Sequence, residues 1–345
     1  MTAIELGISA GVPGWLADRL APLTLPLDFR RITGGRSNLT FEVTDADRRR
    51  WILRRPPLGE HAGSAHDVLR EARLLRALAG RVPVPEVLAV CDDDAVTGAP
   101  FIVLEFLDGL VLRDPDGVRA ELPVVERAAV GPALIDTLVA LHGVDPSLLG
   151  LGALADRTDY LQRQLRRWEA NWQRTSTRAL PELAQAHALL VERAPQQRRT
   201  SIVHGDYRLD NCLLAPSGSG TTVLGVLDWE LTTVGDPLAD LGQFLVYWAE
   251  PGDVHTALHS PPTIEPGFSS RSELLHRYCA ATGDSPAALD YYLAFNWWKT
   301  ACIVEGVYSR MRGGTTGITD RTPESFGDQA AGLAAQALRQ AARLG

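Results

Sequence analysis

The chain has 345 residues, 45% of them hydrophobic and 22% charged, with a net charge of −8. That length implies about two domains, and the composition is that of a folded globular protein, not a disordered one. The acidic balance, with no basic run or face, excludes non-specific nucleic-acid binding, and no stretch reaches the roughly 18 consecutive apolar residues of a membrane span.

The first residues, MTAIELGISAG, lack the cationic region and apolar core of a secretory signal. The four cysteines (Cys91, Cys212, Cys279, Cys302) are scattered without CxxC spacing. They are expected to be reduced, buried small hydrophobes in a cytoplasmic protein, neither zinc ligands nor a disulfide framework.

Residues 1–28 read as a helical lead-in around Pro13 to Leu20, followed by a proline-interrupted connection. From Phe29 the pattern turns to strands: Phe29 to Thr33, Leu39 to Thr44 and Arg50 to Arg54. The first turn between them is Gly34-Gly35-Arg36-Ser37-Asn38. A glycine-bearing turn lets backbone N–H groups approach a phosphate closely, although a Gly-Gly turn can also be no more than a turn.

Ala65 to Ala79 carries helical periodicity. With Val68 at 0° and about 100° per residue, Ala72, Leu75, Leu78 and Ala79 share one arc, whereas Arg70, Arg73 and Arg76 fall outside it. Glu71 lies at about 300°, within the apolar arc. A carboxylate there either bends to solvent or meets a cation; Arg54, at the end of the preceding strand, is the candidate. Val87 to Cys91 and Phe101 to Leu107 complete an expected five-stranded antiparallel sheet with one helix. Asp108-Gly109 marks a boundary, dividing the chain into a lead-in (1–28), an N-terminal lobe (29–107) and a C-terminal lobe (108–345).

The second lobe reads as mostly helical, through Val125 to His142 and Asp159 to Arg174, until Ser201 to Glu230 interrupts it with short strands. There an apolar run (Ile202, Val203) leads into a polar loop, His204 to Asn211. Two strand-like runs follow, Cys212 to Ala215 and Thr222 to Leu227, separated by the turn signal Pro216-Ser217-Gly218-Ser219-Gly220. A hairpin would bring Asn211, just before the first strand, beside Asp228, just after the second, with Asp206 in the same loop. Two carboxylates and an amide suit a hard cation such as Mg2+, with one carboxylate left as a base.

Beyond the hairpin, Asp236-Pro237 opens a helix with Leu238, Leu241, Leu245 and Trp248 on its buried face. Pro251 to Gly267 reads as a mobile surface loop. Helices are expected at Ser272 to Ala281, from Ser285-Pro286 to Arg310, and at Ser325 to Leu344. Tyr291, Tyr292, Trp248, Trp297 and Trp298 fit a core better than a substrate pocket, and His204 fits a backbone-bonding role better than that of a base.

His204-Gly205-Asp206-Tyr207-Arg208-Leu209-Asp210-Asn211, followed by Val226-Leu227-Asp228-Trp229-Glu230, resembles the aminoglycoside phosphotransferase family. The likeness runs over roughly residues 28 to 310 and is strongest to the branch whose domains occur fused to acyl-CoA dehydrogenases. It implies an α+β, two-lobed protein-kinase-like fold, with a small antiparallel β-sheet N-terminal lobe and a larger helical C-terminal lobe. It implies that Asp206 accepts the substrate hydroxyl proton, that Asn211 and Asp228 hold Mg2+, and that Arg208 lies near the transferring phosphate. Gly34, Gly35, Ser37 and Asn38 match the nucleotide-positioning loop, and Arg54 and Glu71 the ion pair at the α- and β-phosphates. Glu105, Phe106 and Leu107 match the hinge that meets the adenine. Asp236 and Asp240 resemble the family's DPxxDL segment, the first as a helix cap and the second as a brace for the catalytic loop or a purely structural group.

Two departures stand out. Arg54 replaces the usual lysine, and a guanidinium is a planar fork where an ammonium is a point charge. The glycine turn also holds fewer glycines than GxGxxG.

The reading that follows is a kinase using ATP or GTP and Mg2+ to phosphorylate a hydroxyl of a small molecule. Its alternatives are a degenerate nucleotide-binding module and a metal-dependent phosphohydrolase. The C-terminal helices offer Glu273, Asp284, Asp290 and Glu305 amid many aromatics. That set is sparser than the acidic cluster with which resistance enzymes of the resembled family hold several ammonium groups, and it points to a less cationic, partly apolar hydroxylated acceptor.

Overall fold

Period-two patterning in the first hundred residues produces five strands: β1 (Asp28–Ile32), β2 (Leu39–Thr44), β3 (Arg50–Arg55), β4 (Val87–Cys91) and β5 (Phe101–Glu105). They form one antiparallel sheet in the order β1-β2-β3-β5-β4, so β3 is central, with Arg54 between Thr40 and Ile102. The structure, a computed structural model, describes residues 7–32, 38–57, 67–149, 159–218, 220–314 and 321–344. The chain divides into two compact units, the first comprising residues 1–109 with 224–231 and the second 110–223 with 232–345.

In the first unit, alternation along β3 sends Leu53 and Arg55 to one face and Arg54 to the other. Leu53 packs with Phe41, Val43, Phe101 and Val103 against Val12 and Leu16 of a short helix, α1 (Val12–Ala17). The lead-in is thus part of this unit's core. Buried Arg55 is satisfied by the carbonyls of Gly7, Pro56 and Thr97. Helix α2 (Val68–Leu78) is capped by Asp67, whose carboxylate accepts from the N–H of Arg70 at 2.8 Å. A one-turn helix, α3 (Asp94–Thr97), links β4 and β5.

The second unit is helical: α4 (Pro115–Glu121), α5 (Val124–His142), α6 (Tyr160–Thr175), α7 (Pro181–Glu192), α8 (Leu238–Tyr247), α9 (Arg271–Thr282), α10 (Asp290–Arg312) and α11 (Pro323–Ala342). Buried around most of its circumference, α10 packs on α6, α7, α8 and α11. Trp248, Tyr291, Tyr292, Trp297 and Trp298 are all core residues, none more than 5% exposed. Tyr291, Tyr292, Trp248 and Trp298 each spend their polar atom on an internal acceptor, as buried aromatics of this type require. The segment 251–267 differs from the loose loop its composition predicts. Its carbonyls accept from Gln329 and Arg127, and Thr263 donates to Ala249 at 2.8 Å, so its backbone is anchored.

Two small sheets interrupt the helices. β6 (Ser201–Val203) pairs antiparallel with β9 (Thr233–Gly235), and β7 (Cys212–Pro216) pairs with β8 (Thr221–Val226). The hairpin expected around the Ser217 to Gly220 turn forms, although Ser219 lies outside the described residues. β8 carries the chain into the first unit at Leu224. There Val226 donates to Pro83 at 2.9 Å, and Arg70 donates to the carbonyl of Glu230 at 3.4 Å.

Helices α8 and α10 approach closely at Gly242. A Cβ there would stand 2.8 Å from the Asn296 amide nitrogen and 2.9 Å from the Tyr292 carbonyl. Gly242→Ala is expected to cost about 1–3 kcal/mol through overpacking, read as a lower midpoint in urea denaturation. An unchanged midpoint would mean that the helices do not depend on this contact.

Candidate active site

The loop after β6 has no regular structure of its own, so its shape depends on side chains that hold its backbone. Asp240, in the first turn of α8, accepts from the N–H of His204 at 2.6 Å and of Gly205 at 2.9 Å. Its carboxylate also faces His142 Nε2 at 3.4 Å. Burial alone would raise the Asp240 pKa; hydrogen bonding and charge from His142, with His204 and the Gly205 N–H, outweigh it and hold the carboxyl below its ordinary value. Tyr207 pins the loop from the other side, its hydroxyl donating to Leu134 at 2.7 Å. His204 is fully buried and its Nδ1 accepts from the N–H of Asp206 at 3.2 Å, so it bonds backbone within its own loop.

This frame presents Asp206. One carboxylate oxygen accepts from Gln243 Nε2 at 2.7 Å, and the other accepts from Asn211 Nδ2 at 3.0 Å. Arg208 Nε stands 3.4 Å from that second oxygen, while its Nη1 is 3.1 Å from Asp210. The guanidinium of Arg208 also lies over the Tyr247 ring, 5.2 Å from its centroid. Asn211 Nδ2 donates to the Asp206 carbonyl as well, at 2.8 Å. With its NH2 committed twice, the Asn211 amide turns its oxygen away from Asp206, and that oxygen is a fitting hard ligand.

Two residues of this cluster escaped the sequence reading. Gln243 lies one turn beyond Asp240 on the same face of α8, a spacing that could have drawn attention to it. Lys299 of α10 donates to Gln243 Oε1 at 2.7 Å and to the Gly205 carbonyl at 3.2 Å. Its signal was compositional: it is the chain's only lysine.

The first unit holds the other predicted residues. Arg54 Nη1 is 3.4 Å from Glu71, and its Nη2 is 3.4 Å from Asp228. Glu71 is only 5% exposed, so its place on the apolar arc is met by the cation and not by solvent. Burial raises the Glu71 pKa, Arg54 pulling against it; for Arg54, Glu71, Asp228 and Glu230 outweigh burial and hold the guanidinium charged. Arg54 Nε and Glu71 Oε2 are buried without hydrogen-bond partners. Asp228 adopts a left-handed backbone, φ +65°, a conformation that concentrates at functional sites when the residue is not glycine.

Gly34, Gly35 and Ser37 lie outside the described residues. Asn38 is buried, and its side-chain oxygen has no hydrogen-bond partner among the described residues. β5 ends at Glu105, whose carboxylate accepts from the N–H of Glu86 at 3.3 Å. Phe106 supports the Arg50 guanidinium, 3.9 Å from its ring centroid. Leu107 packs over Gly225, where an added Cβ would come within 2.5 Å of it.

Among the described residues no group of three His, Cys, Asp or Glu side chains is placed to hold a metal. An Mg2+ ion needs no such cage, because it takes one or two protein oxygens and completes its shell with water and substrate phosphate. Asn211 and Asp228 are oxygen donors of the right kind.

A groove of about 720 Å³ opens in the second unit, lined by Arg167, Trp168, Asn171 and Arg174 of α6 and by Ile303 and Arg310 of α10. Lys299 Nζ sits 5.8 Å from the centroid of the Trp168 ring, which links the groove to the Asp206 cluster. Of the four acidic residues offered by the C-terminal segments, three are engaged: Glu273 caps α9, Asp284 pairs with Arg199 at 3.0 Å, and Glu305 is held by Arg178 at 2.7 Å. Asp290 is exposed at the start of α10.

The model of the phosphotransferase enzyme family matches residues 28–292. The chain belongs to that family. It is 34% identical over 294 residues to acyl-CoA dehydrogenase family member 10 of Mus musculus, covering 83% of this chain and 27% of the relative. It is 31% identical to acyl-CoA dehydrogenase family member 11 of Homo sapiens, covering 89% of this chain and 39% of the relative. The chain therefore spans well under half the length of these curated relatives. Among solved structures, a candidate aminoglycoside phosphotransferase of Ralstonia eutropha JMP134 superposes with a TM-score of 0.79 at 29% identity, over 97% of this chain and 98% of the other. An aminoglycoside phosphotransferase in ternary complex with AMP-PNP and hygromycin B gives 0.62 at 18% identity, over 96% and 99%, a likeness of fold alone. The kinase-like α+β fold implied by the resemblance is the fold of this chain. Among the described residues no helix is long and apolar enough to cross a membrane.

The loop anchor can be tested by pH. Asp240→Asn removes the charge and leaves one of the two backbone N–H groups facing a donor, at a cost of about 2–3 kcal/mol. Because the folded pKa is depressed, the carboxylate's contribution is fully present above the unfolded value of about 3.9 and is lost as pH falls through the folded one. In urea denaturation the wild-type advantage over Asp240→Asn should be flat from about pH 5 to 8 and shrink below about pH 4. An advantage that grew on acidification would contradict the assignment.

Proposed function

We propose that the protein is a Mg2+-dependent small-molecule kinase that moves the γ-phosphoryl group of ATP or GTP to a hydroxyl of its acceptor. The observation that carries this reading is the setting of Asp206: a partly exposed carboxylate held on one oxygen by Gln243 and on the other by Asn211, in a loop anchored by Asp240. Such a carboxylate takes the proton of the acceptor hydroxyl as that oxygen bonds to the γ-phosphorus. The bond from phosphorus to the β–γ bridging oxygen breaks, and the nucleoside diphosphate leaves. Arg208, beside Asp206, neutralises charge on the transferring group.

Arg54, kept in place by Glu71, meets the α- and β-phosphates, which gives its buried Nε an acceptor. Gly34, Gly35, Ser37 and Asn38 position the nucleotide, and the backbone of Glu105, Phe106 and Leu107 meets its base. Asn211 and Asp228 hold Mg2+, which when bound neutralises the phosphate oxygens. Support for a nucleotide donor comes from proteins of the same fold solved with AMP-PNP or GDP.

The acceptor in this reading is a hydroxylated, partly apolar small molecule. It is not polycationic, because Asp284 and Glu305 are already paired and the groove beside Lys299 carries Arg167, Arg174 and Arg310. Those arginines suit an acceptor with a negatively charged end. Neither nucleic acid nor membrane takes part, and the setting is cytoplasmic.

A mass-spectrometric screen for hydroxylated metabolites gaining a phosphoryl group identifies the acceptor. Asp206→Ala should lower turnover by about 10²–10⁴-fold with nucleotide affinity nearly unchanged, and Asp228→Ala should abolish the Mg2+ dependence of nucleotide binding. Full turnover in Asp206→Ala would sink the reading. Tight nucleotide binding without any transfer would make the chain a binding module, and hydrolysis faster than transfer a phosphohydrolase.

A further inference from the structure

We propose that Lys299, acting through Gln243, is a positioning residue that fixes the Asp206 carboxylate in the orientation it needs as a base. The inference rests on the reading of Asp206 given above. Its ground is the directionality of the hydrogen bonds. An ammonium group can only donate. The two nearest acceptors of Lys299 are Gln243 Oε1, at 2.7 Å, and the Gly205 carbonyl, at 3.2 Å. The first bond settles which way the Gln243 amide faces: its oxygen must point to Lys299, so its NH2 must point to Asp206, 2.7 Å away. Without the ammonium group, a flipped amide would set oxygen against carboxylate. The second bond ties the same lysine to the loop residue just before Asp206.

Both positioning residues sit on helices, Gln243 on α8 and Lys299 on α10, whose close approach at Gly242 leaves little play between them. Sites borne by rigid elements hold geometry better than sites borne by loops. Lys299 is 9% exposed, and an ammonium group so placed is costly to bury. Burial depresses its pKa, while the carboxylates of Asp206 and Asp240 raise it and Arg167 and Arg208 lower it. A core position next to Trp168, Gln243 and Thr300 could be filled more stably by an apolar side chain. The 33 arginines show that this chain otherwise uses arginine for positive charge. A single lysine at this position is the compact donor that fits between Gly205 and Gln243 where a planar guanidinium would not.

The test uses the full chain and the hydrolysis of Mg-ATP and Mg-GTP, water standing in for the acceptor, in Lys299→Met, Gln243→Leu, Asp206→Ala and the double variant Asp206→Ala/Lys299→Met. Lys299→Met and Gln243→Leu are expected to lower kcat by on the order of 10²-fold, the scale of a misplaced catalytic group, with the nucleotide KM within about threefold. Tm in Lys299→Met should stay close to that of the wild type, because removing a buried charge offsets the loss of the donor to Gln243 and Gly205. In the double variant, losing Lys299 should cost nothing beyond Asp206→Ala, since the lysine works through that carboxylate. Wild-type turnover in Lys299→Met with Asp206→Ala inactive would overturn this inference alone. A full multiplicative loss in the double variant, or a loss of activity matched by a fall in Tm, would also overturn it. Wild-type turnover in Asp206→Ala would remove the underlying reading and the inference with it.

Discussion

The second unit depends on one buried carboxylate. Asp240 binds two consecutive backbone N–H groups, those of His204 and Gly205, and faces His142. A charge this deep is tolerable only because both of its oxygens meet donors. The gain is geometric: a loop without helix or strand bonding acquires a fixed backbone. The same helix then continues the task. Gln243, one turn on, reaches Asp206, and Tyr247, a further turn on, lies under Arg208. Asp240, Gln243 and Tyr247 follow the i, i+3, i+7 spacing of a single helical stripe. Here that stripe is polar and serves the loop, while the rest of α8 is core.

In the first unit a guanidinium does comparable work. Arg54, on the central strand, reaches Glu71 on α2 with one terminal nitrogen and Asp228, after β8, with the other. A planar fork can satisfy two carboxylates on two different elements at once. The three residues are far apart in sequence, yet strand alternation, helix periodicity and the entry of β8 into this unit suffice to gather them. The left-handed backbone of Asp228 follows from the same arrangement, because its carboxylate must face β3 while the chain turns directly into the 3-10 turn at Trp229.

Much of this was legible from local rules. The five strands and the hairpin follow from alternation and turn chemistry, and the inward Glu71 follows from a helical period of 3.6 that would otherwise bury a lone charge. The aromatic residues of α10 were rightly read as core. What was not legible is what depends on crossings between helices remote in sequence. Gln243 shares a helix face with Asp240, but its link to Lys299 appears only when α10 sets that lysine against it, and no spacing rule links positions 243 and 299. The anchoring of the 251–267 loop was not legible for the same reason: its proline and glycine content signals a loop, but not that Gln329 and Arg127 hold its carbonyls. Helices α4 and α7 lie in the region that reads only as mostly helical, without bounds of their own.

Arginine at position 54 bears on whether the chain is a working enzyme or a degenerate one. Taken alone, the exchange of the usual lysine looks like decay. The composition argues otherwise. All but one of the 34 basic residues are arginine, so arginine at position 54 follows the bias of the whole chain. The one lysine, at position 299, is a small, donor-only ammonium group wedged between a backbone carbonyl and a glutamine oxygen at the Asp206 loop. An ion pair facing two carboxylates tolerates, and even favours, a fork; a buried slot with two convergent acceptors favours a point donor. The two positions thus separate by geometry what composition alone would blur.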